Sequence, residues 1–291
     1  MKRLNLLIAL FLIHSISWSQ EKEVTITIDT LTSEVYMLTG EGGNIGLYVN
    51  DTNSFMIDDQ FARLSPKIKK AVASITDKPL RYLFNTHMHG DHTGGNAEFN
   101  SSTTTLIAQD NVRKDLLKRL KEKPELGSEI LPEISFSEEL NIFEADETIM
   151  AFHVHNAHTD SDAMIYFMKN NVLHMGDTYF SERYPYMDLK NGGSLNGYID
   201  AIKRALMLID DKTIIIPGHG RSSNKLELIA YVDMLETIKE NILKAIASGD
   251  TLEEVEKNSS ISSKYDNNFG TGFISPERMR TIFYTSLKND F

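Results

Sequence analysis

Runs of four to seven β-branched and aromatic residues, each closed by glycine, asparagine or aspartate, recur through the first half of the chain and predict strands. Glu23 to Asp29, Val35 to Thr39 and Ile45 to Val49 are the first three. Gly40-Glu41-Gly42-Gly43-Asn44 joins the last two. No Lys-Ser/Thr pair and no helical pattern follows this glycine-rich stretch, so it reads as a hairpin and not as a phosphate cradle. Phe55-Met56-Ile57 and Leu80 to Phe84 are two further strands around a helix that Ser65-Pro66 caps and opens, with Ile68, Ala71, Val72 and Ile75 on one face. Gly94 to Phe99 predicts a short helix, Thr104 to Ala108 a strand, and Val112, Leu116, Leu117 and Leu120 the buried stripe of another helix. From Lys121 to Glu139 the chain is charged and aperiodic, and an excursion over the surface is expected there.

The second half keeps the same alternation. Ile142 to Ala145, Thr148 to Val154, Ala163 to Met168 and Val172 to Met175 read as strands, the last two paired through Asn170-Asn171, residues that tolerate positive φ. The outgoing strand is expected to stop at Gly176-Asp177. Thr213 to Ile216 is apolar throughout, as a strand covered on both faces would be. Leu195 to Ile209 and Lys225 to Ala247 have helical spacing, Thr251 with Glu254 has the form of a capping box, and Ser275-Pro276 opens a last helix with Met279, Ile282, Phe283 and Leu287 inward. Strands alternating with helices, with no internal repeat, indicate an α/β domain.

The first nineteen residues fit none of this. Lys2 and Arg3, the apolar run Leu6 to Ile13 and the small-x-small triplet Ser17-Trp18-Ser19 have the form of a cleavable export signal, and eight apolar residues are too few to span a bilayer. Cleavage after Ser19 leaves residues 20 to 291 as one domain, secreted or periplasmic. The chain contains no cysteine, so neither a disulfide nor a cysteine-linked lipid is available to it. Without the leader, 28 basic residues face 41 acidic ones, a net charge of −13 that repels phosphate backbones and argues against nucleic acid as a partner. A small-molecule substrate is the expected partner, and no membrane span is expected after cleavage.

Candidate chemistry concentrates in His87-Met88-His89-Gly90-Asp91-His92, three imidazoles and a carboxylate within six residues between a strand and a helix. Residues two apart on an extended segment point the same way, so His87 and His89 are able to pinch one cation. A turn at Gly90 must then aim Asp91 and His92 elsewhere, consistent with a second cation about 3.5 to 4 Å from the first.

The pattern H-x-H-x-D-H, followed by His158, by Asp177 in Met175-Gly176-Asp177-Thr178 and by His219 in Pro217-Gly218-His219-Gly220, resembles the metallo-β-lactamase-fold hydrolase superfamily. These motifs cover residues 36 to 220. The resemblance implies a four-layer αββα sandwich. It also implies one cation held by His87, His89 and His158, a second held by Asp91, His92 and His219, and Asp177 as a bridge. Asp58 is implied as a residue that orients a ligand, with an exposed turn aspartate as the alternative, and the Gly40 to Asn44 hairpin is implied to overhang the site.

Zinc suits so many imidazoles, while the carboxylates and the absence of sulfur leave iron or manganese open. Water on such a cation has its pKa lowered to about 7, so hydroxide is available at neutral pH, with Asp91 or Asp177 as the catalytic carboxylate that orients it. Hydrolysis of an amide, ester or thioester is the expected chemistry. Export makes ring-opening of a β-lactam the leading expectation, with lactone or thioester hydrolysis as the alternative because Asp177 at the Gly-Asp position looks more like glyoxalase II and lactonases. A metal-binding module without turnover is the alternative from another class. His153, His155 and His174 read as structural, and Tyr184 and Tyr186 as packing residues, with substrate contact as their alternative role.

Overall fold

The computed structural model describes residues 23–289, and the expected leader lies outside the described residues. Among the described residues, one sheet runs in sequence order through β1 (Thr27–Thr30), β2 (Val35–Thr39), β3 (Ile45–Val49), β4 (Ser54–Ile57), β5 (Leu80–Asn85), β6 (Thr105–Gln109) and β7 (Ile134–Phe136). Pairing is antiparallel from β1 to β4 and parallel from β4 to β7. Parallel neighbours need crossovers. Helices α1 (Ser65–Ile75) and α4 (Asp110–Glu122) lie in two of these, and the crossover from β5 to β6 carries α2 (Gly90–Thr93) and α3 (Asn96–Phe99).

The second sheet has the order β13-β12-β11-β10-β9-β8. Its strands are β8 (Glu139–Glu144), β9 (Glu147–His153), β10 (Ala163–Phe167), β11 (Val172–Phe180), β12 (Ile214–His219) and β13 (Ser223–Asn224). Helices α5 (Leu195–Leu208), α6 (Lys225–Ala247), α7 (Leu252–Lys257), α8 (Ser263–Phe269) and α9 (Pro276–Asn289) complete the chain.

Alternation along each strand sorts the side chains into layers. Tyr48, Phe55, Phe84 and Ile107 of the first sheet meet Ile149, Ile165, Phe167 and Ile216 of the second, with Tyr48 and Phe167 stacked at 5.3 Å. Their strand neighbours Leu47, Met56, Leu83 and Leu106 face outward onto Leu64, Ile68 and Phe99. On the far side Phe152, Tyr166, Leu173 and Met175 pack under α5, α6 and α9 through Tyr198, Ile202, Leu235, Ile238 and Phe283. The result is a four-layer αββα sandwich. Fully burying one such side chain contributes roughly 1.5 to 3 kcal/mol, so with no disulfide these three apolar layers supply the stability. Arg280 is the largest side chain enclosed: it donates to the Glu256 carbonyl from Nε (2.9 Å) and Nη2 (2.7 Å) and to Ser262 Oγ (2.8 Å), tying α9 to the segment from α7 to α8.

Several local expectations are corrected. The first strand is shorter than the alternating run, because Thr27–Thr30 forms an exposed edge. Ser65 is buried and caps nothing; Pro66 alone suits the helix start. The aperiodic stretch after Lys121 contains β7, which adds an edge to the first sheet, and β8 begins at Glu139. Strand β11 does not stop at Asp177 but runs on to Phe180. The capping box at Thr251 and Glu254 forms as read, and Asn171 takes a φ of +54° in its hairpin. No described helix is long and apolar enough to cross a membrane.

Candidate metal centre

The ends of β5, β11 and β12 and the loop after β9 meet at one rim of the two sheets. The loop after β5 presents His87 and His89, and α2 is a single turn that swings Asp91 and His92 away from the extended path. Asp177 lies in a bulge of β11, where the parallel register against β12 slips on either side of Gly176. Such a bulge re-aims one side chain out of the sheet's alternation. It requires Gly176: φ there is +52°, and a Cβ would meet Thr86 at 2.7 Å.

All seven residues implied by the motif converge. Ring nitrogens or carboxylate oxygens of His87, His89, His158 and Asp177 lie within 4.8 Å of one another, and so do those of Asp91, His92 and His219. Asp177 stands between the two groups. Its Oδ2 is 3.4 Å from His158 Nε2 and 3.8 Å from His87 Nε2, while its Oδ1 is 3.1 Å from His92 Nε2 and 3.4 Å from His219 Nε2. Asp91 Oδ2 is 3.4 Å from His219 Nε2 and 3.7 Å from His92 Nε2.

The outer nitrogens decide what the inner ones present. His89 Nε2 donates to Asp188 Oδ2 (3.0 Å), and His158 Nδ1 donates to the Tyr186 carbonyl (2.8 Å). His92 Nδ1 donates to Asp58 Oδ2 (2.7 Å). Thr86 Oγ1 gives its proton to Asp58 Oδ2 (2.8 Å), so at 3.1 Å it accepts from His87 Nδ1. A neutral imidazole carries one proton, so these tautomers turn bare lone pairs inward on His87 Nε2, His89 Nδ1 and His158 Nε2. Those nitrogens are only 3.2 Å (His87 to His89) and 2.8 Å (His89 to His158) apart. Lone pairs that close repel unless a cation lies among them. In the second group His92 Nε2 and Asp177 Oδ1 are buried and, though 3.1 Å apart, neither makes a hydrogen bond among the described residues. Both groups therefore fit divalent cations.

The charges agree. Burial lowers His87 well below the ordinary imidazole value and His158 to about 4, outweighing the pull of Asp177. Burial also opposes charge on His92 and His219. There Asp177, aided by Asp58 for His92 and by Asp91 for His219, wins and raises His92 well above its usual value and His219 to about 9. Asp177 is held well below the carboxylate range despite its burial, chiefly by His92 and His219. The second group demands positive charge at its centre, whether from protons or from a cation.

Neighbouring loops lock the centre. Gly43 N donates to the Asp91 carbonyl (3.1 Å) and Asn44 N to the Gly218 carbonyl (2.7 Å), so the Gly40 to Asn44 hairpin sits over the rim. Asp162 accepts from Thr159 N (2.8 Å) and Thr159 Oγ1 (2.7 Å), which fixes the turn bearing His158. His153 Nδ1 bonds the Asp162 carbonyl, His155 pairs with Glu138, and His174 Nε2 bonds the Asn44 carbonyl; each lies outside the two donor groups. Tyr184 is buried with its hydroxyl donating to Asp266 (2.7 Å), Tyr186 is half-buried and stacks near His89, and both line the cleft above the centre. Asp188 escaped the sequence reading, because it sits in an aperiodic loop 99 residues from its partner His89. The cleft has a volume of about 570 Å³ and is walled by Phe61, Phe180, Tyr186, Phe273 and Arg183.

A four-layer αββα sandwich with histidines and aspartates gathered at one rim defines the class of protein, an α/β sandwich that fits metal ions at the edge of its sheets. The sequence profile of the metallo-beta-lactamase superfamily matches residues 38–219, and the chain belongs to that superfamily. It is similar to a hydroxyacylglutathione hydrolase of Polaromonas sp., 25% identical over 156 residues that cover 54% of each chain. A hydroxyacylglutathione hydrolase of Nitrosococcus oceani is 27% identical over 145 residues, 50% of each chain. The chain thus spans about half the length of these curated relatives. Among solved structures, the DIM-1 metallo-beta-lactamase superposes with a TM-score of 0.62 at 18% identity, covering 74% of this chain and 99% of that one. The sec-alkylsulfatase Pisa1 from Pseudomonas sp. gives 0.71 at 14% identity, over 89% and 50%. At such identities the likeness concerns the fold.

Proposed function

We propose that the protein is a dinuclear-metal hydrolase of small acyl substrates, in which His87, His89 and His158 hold one divalent cation, Asp91, His92 and His219 hold another, and Asp177 is shared. The observation that carries this reading is the placement of Asp177, one carboxylate oxygen turned to each donor group. When bound, the cations supply Lewis acidity toward a scissile carbonyl and bring the pKa of water from about 15.7 down to about 7. Zinc fits the imidazole-rich set best.

Asp91 is the general base in this reading. Its carboxylate lies on the cleft side, a little over a quarter exposed, and its hydrogen bond to His219 and the charge of His92 keep it ionised despite burial. Asp177 stays anionic and orients what binds between the groups. The apolar walls of the cleft exclude water beyond the reacting molecule.

An ester or thioester is the favoured substrate, supported by the shared carboxylate Asp177 and by the names of the two curated relatives. A β-lactam is the second reading, favoured by the export signal read in the first nineteen residues, which also places the protein outside the cytoplasm in this proposal. Nitrocefin, S-lactoylglutathione, an acyl-homoserine lactone and p-nitrophenyl acetate, each with the wild type and Asp91→Asn, test both. Loss of the general base is expected to lower turnover of the best substrate by about 10²- to 10⁴-fold. Equal turnover in Asp91→Asn would sink the mechanism, and no turnover of any of the four with metal fully bound would leave a non-catalytic metal-binding module.

Asp188 offers a separate check on the centre. Asp188→Asn keeps the shape of the His89 partner but removes its charge, and is expected to weaken metal binding by about 10- to 100-fold with the fold intact. Competition against a chelating indicator measures this, and an unchanged affinity would show that His89 needs no carboxylate behind it.

A further inference from the structure

Of the nine histidines, five stand in the two donor groups and His14 falls in the expected leader. Both ring nitrogens of His174 are engaged, Nε2 with the Asn44 carbonyl (3.1 Å) and Nδ1 with Gly176 N (3.1 Å). His153 and His155 remain. They stand two apart at the end of β9, so both side chains leave on one side, and their rings meet with 4.3 Å between centroids. From the neighbouring segment, the Glu138 carbonyl accepts from His153 N (2.8 Å), which sets Glu138 opposite His153. Its carboxylate reaches diagonally to His155 Nε2 at 3.2 Å.

The buried ring of the pair is in the form a metal ligand needs. His153 Nδ1 donates to the Asp162 carbonyl (2.7 Å), so the lone pair of the neutral ring is on Nε2, which bonds to nothing among the described residues. Burial above all, with His155 beside it, holds the pKa of His153 below the ordinary imidazole value against the pull of the Asp162 carbonyl, Glu138 and Asp160. The ring is therefore neutral at neutral pH. Arg204, which donates to the His153 carbonyl (2.7 Å), is itself paired with Glu139 at 3.0 Å. The side chains of His155 and Glu138 are 60% and 62% exposed, so both are free to turn toward an ion on a backbone that is fixed.

We infer that His153, His155 and Glu138 form a third cation site, outside the cleft and apart from the two donor groups, that takes zinc or copper(II). Two imidazoles and a carboxylate are a donor set these ions favour, with water completing the shell, whereas magnesium and calcium prefer oxygen alone.

Equilibrium dialysis of the untagged protein against a series of micromolar zinc concentrations, with magnesium in excess, counts the ions in the wild type, His155→Gln and Glu138→Gln. His153 is left in place because its bond to the Asp162 carbonyl braces the turn that carries His158. Groups one layer behind a ligand are already worth about 10- to 100-fold in metal affinity, so loss of a donor is expected to weaken the last ion by at least about tenfold. At zinc concentrations that fill the site, the wild type is expected to hold one ion more than either variant, whatever number the rim holds. The melting temperature before zinc is added, and the rate on any substrate hydrolysed, are expected to stay unchanged in both variants. Equal counts in all three proteins would overturn the site, as would a loss confined to one variant, since the site needs both donors. The count does not depend on turnover, so a protein that hydrolyses nothing still decides it.

Discussion

Asp177→Asn is expected to lower kcat/KM by about 10²- to 10³-fold and to reduce bound metal from two ions per chain to about one. The substitution keeps the side chain's volume in a place with no room to spare, since a Cβ on Gly218 would run into Asp177 Oδ1. What it removes is charge and one of two acceptor oxygens. Four imidazole nitrogens face this carboxylate at 3.1 to 3.8 Å, two on each oxygen. An amide presents an acceptor to one pair and an NH2 to the other, so it is unable to serve both. Elemental analysis of the purified variant alongside its steady-state kinetics reads both effects. Two ions retained with activity within tenfold of wild type would remove Asp177 from the shared position.

Stripping the metal is the second large effect, and it is expected to lower the melting temperature by roughly 15 to 30 °C. A ligand at a thousand times its Kd stabilises the folded state by about 4 kcal/mol, so two such cations contribute about 8. For a chain of this size each kcal/mol corresponds to roughly 2 to 4 °C. Without cations, the lone pairs of His87, His89 and His158 oppose one another at 2.8 to 3.2 Å. The second group partly compensates by protonation: the raised pKa of His219, about 9 against 6.5, stabilises the folded protein fully below about pH 6.5, a gain lost as pH rises through 9. Differential scanning of chelator-treated and zinc-restored protein at neutral pH measures the gap. A difference under about 3 °C would mean that the centre does not hold cations tightly.

Much of the architecture was legible before any coordinates, for reasons particular to its elements. Val35 to Thr39, Ile45 to Val49 and Thr213 to Ile216 are apolar runs bounded by glycine, asparagine or proline, and such runs have few alternatives to a strand. The long helix from Lys225 to Ala247 announces itself by period. By contrast β7 is three residues long inside a charged stretch, and what makes it a strand is the parallel pairing of Ile134 to Phe136 with Ile107 to Gln109. The run of β11 past Asp177 to Phe180 is equally non-local. It depends on a bulge whose geometry is set by β12 beside it and by Thr86 above Gly176.

The site divides along the same line. Residue identity and spacing alone single out His87, His89, Asp91 and His92, because one strand end and one helical turn place all four. Their resemblance to a known pattern added His158, Asp177 and His219. Asp188 behind His89, the tautomers that turn three lone pairs inward, and Glu138 set beside His153 and His155 came only from the folded chain. Ligand type and local direction are properties of a few consecutive residues. Which nitrogen is free, which carboxylate stands beside it and how deep a cleft runs depend on groups brought together from distant segments, and no local pattern encodes those distances.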